Sequence, residues 1–173
     1  LYLPSGRIQQ SVGGRASMLK RLVRFAEYLV WFGLSILILT SFYTAQTSAT
    51  NLYWLTSIGM PVDSAVVSAT LLADWLGMNI YGEVPLSALL GVTLFLAFGV
   101  TRVVTIWWVV ESRYIYALAG AVGSAVLIIC MPLALSDMEL IAGARSLLGK
   151  LYLIAAGGVA GYFFGSQRTR QSE

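Results

Sequence analysis

The sequence predicts an all-α integral membrane protein of about four transmembrane helices in a bundle, with a short amphipathic outer helix between helices 1 and 2. Three observations carry this expectation. Of 173 residues, 58% are hydrophobic and only 11% are charged, where an ordinary soluble domain carries about 25% charged residues. A chain of this length cannot bury so much apolar surface in a water-soluble core. Four stretches are also long and apolar enough to cross the hydrocarbon, which takes a helix about 20 mainly apolar residues.

Taken in order, residues 1–20 read as a polar N-terminal tail, without the apolar core of a signal peptide. Met18 is followed at once by Leu19, Lys20 and Arg21. It is read either as the initiator, with 1–17 an upstream extension, or as the end of a disordered tail. The transmembrane domain is expected over 21–166. Its first span covers about 22–43, and its uninterrupted core is Tyr28 to Leu39. The second covers about 85–110 and opens on Pro85, which suits a first helical turn because its missing N–H has no intrahelical acceptor there. The third covers about 114–135, with Pro132 in its last turns expected to kink or end it. The fourth covers about 151–164, and a basic cytoplasmic tail follows at 167–173.

The connection between the first two spans is too long for a simple turn. Val62, Val66, Ala69, Ala73 and Leu76 recur at spacings of four and three, which gives one apolar helical face over about 61–76. Asp63, Thr70 and Asp74 fall on another face, and Gly77 is a stop signal. Such a helix can lie in the outer interface, pack over the bundle, or offer Asp63 and Asp74 to a basic partner. Ser136, Asp137, Met138 and Glu139 have the form of a capping box. They predict a helix start ahead of the last span, either a separate short helix or one tilted helix running on from Asp137.

Orientation follows from the basic flanks. Arg7, Arg15, Lys20, Arg21, Arg24, Arg102, Arg113, Arg168 and Arg170 fall on one side if four helices alternate, and only Arg145 and Lys150 fall on the other. The expected location is the cell inner membrane, multi-pass, with both termini cytoplasmic. Trp31, Trp107, Trp108, Tyr114, Tyr116 and Tyr162 are expected near the inner boundary. Tyr43, Tyr53, Trp54, Trp75, Tyr81 and Tyr152 are expected near the outer one, where amphipathic rings meet both lipid and water.

The sharpest motif lies in the last span, where Gly157, Gly161 and Gly165 form GxxxGxxxG. Ala117, Ala121 and Ala125 make a similar stripe on the third span. Small residues let helix backbones approach closely in lipid. The two stripes can pack on each other within one chain, or the glycine face can drive self-association between chains.

Several chemistries are excluded by composition. There is no histidine and a single cysteine, Cys130. His-ligated haem, an intrachain disulfide and a CxxC redox pair are therefore impossible. No P-loop, Rossmann glycine pattern, HExxH or nucleophile elbow occurs, and no catalytic residue, cofactor or metal is expected. Ionisable groups within spans are usually functional. Glu27 is one turn from Arg24, which can pair with it. Arg102 lies about a turn inside the level of Trp107 and Trp108. It either snorkels to the headgroups, or forms a buried ion pair with a group such as Glu27, or contacts an anionic substrate or a lipid phosphate; Glu111 and Arg113 lie close to that end too.

These features lean away from an enzyme. The expected function is a non-enzymatic accessory or assembly subunit of a bacterial inner-membrane complex, for example a secretion or conjugation apparatus. Its expected partners are the lipid bilayer and other membrane subunits or further copies of itself, and not nucleic acid. Two alternatives are a small oligomeric transporter or channel, and a lipid- or quinone-interacting membrane enzyme.

Overall fold

A computed structural model describes residues 6–82, 85–107, 112–134 and 144–170. Five α-helices follow one another: α1 (Gly6–Ser57), α2 (Ser64–Leu76), α3 (Leu86–Trp107), α4 (Ser112–Ala134) and α5 (Leu147–Arg170). A π-helical segment, Gly77–Tyr81, extends α2. Among the described residues there is no strand. Four helices are long and apolar enough to cross a membrane, so the chain is an all-α, multi-pass membrane bundle.

The largest difference from the sequence expectation is in α1. The expected span of about 22–43 is part of a much longer helix, which from Met18 to Ser57 covers 40 residues and holds within them a stretch apolar enough to cross a membrane. At 1.5 Å per residue that is about 60 Å, roughly twice the hydrocarbon thickness. Hydropathy falls after Leu39 because the chain turns to Ser, Thr, Gln and Asn. The helix survives because those hydroxyls bond to their own backbone. Ser41 donates to the Leu37 carbonyl at 2.8 Å, Thr47 to that of Tyr43 at 3.1 Å, and Thr50 to that of Gln46 at 2.8 Å. No glycine or proline interrupts residues 34–58. The stop comes at Gly59, whose φ of 81° only glycine adopts without strain. Its N–H donates to the Thr56 carbonyl, and the Met60 N–H donates back to that of Leu55. This is the paired hydrogen-bond pattern of a Schellman stop, with Pro61 just beyond.

The remaining helices start and end close to their expected places. The Pro85 carbonyl accepts from the Ala88 and Leu89 N–H groups and so begins α3. α4 continues past Pro132 to Ala134. α5 starts at Leu147, earlier than the expected 151, because the Ser146 hydroxyl accepts from the Gly149 N–H at 3.0 Å as an N-cap. It ends at Arg170, beyond the expected 164. The capping-box expectation at 136–139 lies outside the described residues.

The four long helices close a ring in which α1 touches α3 and α5, and α4 touches α3 and α5. The α4–α5 pair is the most extensive. Gly157, Gly161 and Gly165 are buried against α4. A methyl group at Gly161 would lie 2.8 Å from the Tyr116 carbonyl carbon and 3.1 Å from the Ala117 Cα; at Gly165 it would lie 2.7 Å from the Arg113 Cα. Of the alanine stripe, Ala117 and Ala121 border Gly158, and Gly120 and Ser124 complete the facing surface. Gly123, on another face of α4, meets Ala97 and Thr93 of α3. The glycine motif is therefore satisfied within one chain.

An aromatic layer fills the other side of the ring. Phe98 stacks on Phe164 at 4.7 Å between centroids, and Tyr116 meets both edge-on at 5.3 Å. Phe32 of α1 packs edge-on against Phe98 and Phe164. Tyr43 and Tyr116, expected at the headgroup level, are instead fully buried in the core. Tyr43 reaches across the bundle, and its hydroxyl lies beside that of Ser124.

Two glycine-to-alanine changes of identical chemistry separate packing from helix propensity. Gly161→Ala forces α4 and α5 apart and lowers stability by about 1–3 kcal/mol. Gly33→Ala, where nothing lies within 4 Å of the added methyl, stays within about 1 kcal/mol of the parent. Unfolding titrations in mixed micelles read both.

Candidate functional site

Two polar groupings stand out from the apolar bundle, one at each end. The first is built where α2 and its π-helical extension return to α1. Asp63 caps α2, accepting from the Val66 N–H at 2.8 Å. Asp74, near the end of α2, accepts a hydrogen bond at 2.6 Å from Ser48, which is fully buried on α1. One turn back on α1, Thr44 accepts at 3.3 Å from the Asn79 amide, which also donates to the Trp75 carbonyl at 2.9 Å. Ser87 of α3 donates to the Asn79 carbonyl at 3.0 Å.

The π-helical turn explains this fit. Thr44 and Ser48 are four residues apart, one α-helical turn, while their partners Asn79 and Asp74 are five apart. A π turn closes at i+5 and brings both partners towards α1, where a plain α-helix would swing one of them away. Gly77 caps α2 where the sequence expects a stop, but it keeps a helical conformation, donates to the Ala73 and Asp74 carbonyls and leads into the π segment. Asp63 and Asp74, which the sequence leaves between a helix packed on the bundle or interface and one offered to a basic partner, each make a contact inside the chain: Asp63 caps α2 and Asp74 joins it to α1.

Sequence reasoning missed Ser48, Thr44 and Asn79. Their signal was available in hindsight: Thr40, Thr44 and Ser48 recur every four residues, as do Ser35, Leu39, Tyr43 and Thr47, and all of them are buried. Together they form one continuous face of a helix that runs on past the hydrocarbon. Beside this network a groove of about 430 Å³ opens between α1 and α2, lined by Ser41, Thr44, Ala45, Leu71, Leu72 and Trp75 among others.

The second grouping, at the opposite end, holds the expected Arg102 and Glu27. Arg102 is exposed on α3, and the guanidinium of Arg168 on α5 lies close to it and to the phenol of Tyr28 on α1. Arg168 also sits over the Tyr116 ring at 5.3 Å, and Arg113 over that of Tyr114 at 5.0 Å. Glu27 is exposed on α1, one turn from Arg24, and is not without a partner. Glu111 lies outside the described residues. Ala125 is half-buried on α4. Among the described residues no group of three or more His, Cys, Asp or Glu side chains converges as metal ligands would. Cys130 is exposed on α4.

The network through Asp74 makes a sharp expectation. Asp74→Leu strands the buried Ser48 hydroxyl, costs about 2 kcal/mol, and releases α2 locally, so amide exchange over 64–81 accelerates while α4 and α5 stay protected. Asp74→Asn keeps an acceptor oxygen and leaves exchange near that of the parent. No protein-family model, curated protein or solved structure matches this chain, so its role has to be read from its own residues.

Proposed function

We propose that the protein is a non-enzymatic accessory or assembly subunit of a bacterial inner-membrane complex, such as a secretion or conjugation apparatus. The outer end of α1 is its docking element. The observation that supports this most is the length of α1. Beyond Tyr43 it continues for about 20 Å and leaves Tyr53 and Trp54 at 78% and 60% exposure, with Ile58 and Met60 more than half exposed at its tip. Aromatic side chains held on a rigid helix are the usual anchors of protein interfaces. The network through Asp74 and Asn79 braces this extension against α2 and α3.

In this reading both termini are cytoplasmic. Lys20, Arg21, Arg24, Arg102, Arg113, Arg168 and Arg170 gather at one end of the bundle, and a basic excess of this kind supports reading that end as the inner one. A channel lined by the glycine face is less well supported, because α4 already covers Gly157 and Gly161.

Two measurements test the proposal. Purified from its native membrane in mild detergent, the protein brings down a defined membrane partner, and Tyr53→Ala with Trp54→Ala lowers recovery at least about tenfold without loss of helix content. Recovery of the full partner set by the double variant refutes docking through α1. In a Cys130→Ser background, Arg145→Cys reacts with a membrane-impermeant maleimide added from outside, whereas Arg170→Cys reacts only after lysis. The opposite pattern inverts the topology.

A further inference from the structure

The inner ends of all four long helices share one register. The contacts among Phe32, Phe98, Tyr116 and Phe164 fix a common level across α1, α3, α4 and α5. One turn further towards the inner end, each helix presents a polar side chain: Tyr28 on α1, Arg102 on α3, Arg113 on α4 and Arg168 on α5. Three guanidinium groups and a phenol thus form a layer directly over the aromatic one. Arg168 stacks on Tyr116, which holds it in place rather than leaving it to wander. The close approach of Gly165 to Arg113 draws the α4 and α5 ends together.

Like charges held at a shared level repel, and acids do not balance them here. Among the described residues at this end, Glu27 alone stands against Lys20, Arg21, Arg24, Arg102, Arg113, Arg168 and Arg170. Two turns outward from Arg102, on the same side of α3, lies Phe95, with Val92 and Leu96 beside it, all largely exposed. An apolar track therefore leads directly from the basic layer into the hydrocarbon.

We propose that the layer of Arg102, Arg168 and Tyr28 is a binding site for the phosphate of an anionic phospholipid, whose acyl chains lie along Val92, Phe95 and Leu96. The forked donors of two arginines match phosphate oxygens, and basic pockets between helices at the cytoplasmic face suit such headgroups. The apolar track selects a lipid over a free anion. This site stands apart from the docking role of α1, at the opposite end of the bundle, and its test needs no partner protein.

The test uses the purified full-length protein in neutral detergent, with bound lipid counted by native mass spectrometry after incubation with cardiolipin, phosphatidylglycerol or phosphatidylcholine. The two anionic lipids remain bound and phosphatidylcholine does not. Arg102→Gln with Arg168→Gln weakens retention roughly tenfold or more, while Arg21→Gln with Arg24→Gln, on the exposed start of α1, leaves it within about twofold. Helix content, read by circular dichroism, establishes that each variant is folded. If the glutamine pair does not fold, Arg102→Lys with Arg168→Lys replaces it: this pair keeps the charge but loses the forked geometry, and is expected to weaken retention measurably. Equal retention of phosphatidylcholine overturns the proposal, as does an equal loss in the α1 variant, which reduces the effect to general surface charge. Displacement of the lipid by millimolar inorganic phosphate overturns the lipid as the occupant.

Discussion

Between Gly120 and Gly161 the backbones of α4 and α5 come so close that a single added methyl group on either side would meet main-chain atoms. In lipid there is little hydrophobic drive between helices, so association rests on dispersion and close packing. That places the strongest packing of the molecule in this one seam. With α4 and α5 held as a unit, α1 and α3 each find a groove to lie in. α1 packs its aromatic side chains on α5 through Trp31 with Phe163 and Phe42 with Tyr152. α3 packs on α4 where Gly123 admits Thr93 and Ala97. The ring closes at Phe32, which touches both sides.

A second constraint works along α1. A helix longer than the hydrocarbon leaves its surplus in a polar setting, and its hydroxyls must be satisfied twice over. Most, including the buried Ser35, Thr40 and Thr47, bond to their own carbonyls. Thr44 and Ser48 instead find Asn79 and Asp74 across the gap. The π turn at Gly77–Tyr81 is the local distortion that makes both pairings possible at once. A distortion kept in this way fixes α2 against α1 at that end of the bundle.

The two ends of the bundle consequently differ in character. The end that carries α2 is hydroxyl-lined and neutral to acidic. The other end is basic and lies over the aromatic layer, and α1 runs on past it from Gly6. Under the proposals made above, the first suits a protein partner and the second a lipid phosphate, with the basic end facing the cytoplasm as the charge rule for membrane insertion favours.

Much of this was legible in the residues themselves. The class, the count of four spans and the positions of α3, α4 and α5 follow from hydropathy, because a helix that crosses lipid must be apolar over a fixed length. The glycine stripe announced a close contact, and the spacing of Val62 to Leu76 announced α2. The end of α1 was not legible in the same way: hydropathy sees the Ser and Thr content after Leu39, but not the carbonyls that satisfy it. Gly59 and Pro61 were the better signal. Tyr43 and Tyr116 were taken for interface residues, since composition cannot tell a ring at the headgroups from one whose face is covered by a neighbouring helix. Which surface met the glycines, and which groups met Asp74, were decided only by the tertiary structure. Both depend on residues far apart in the chain arriving at the same level, and no local pattern records that.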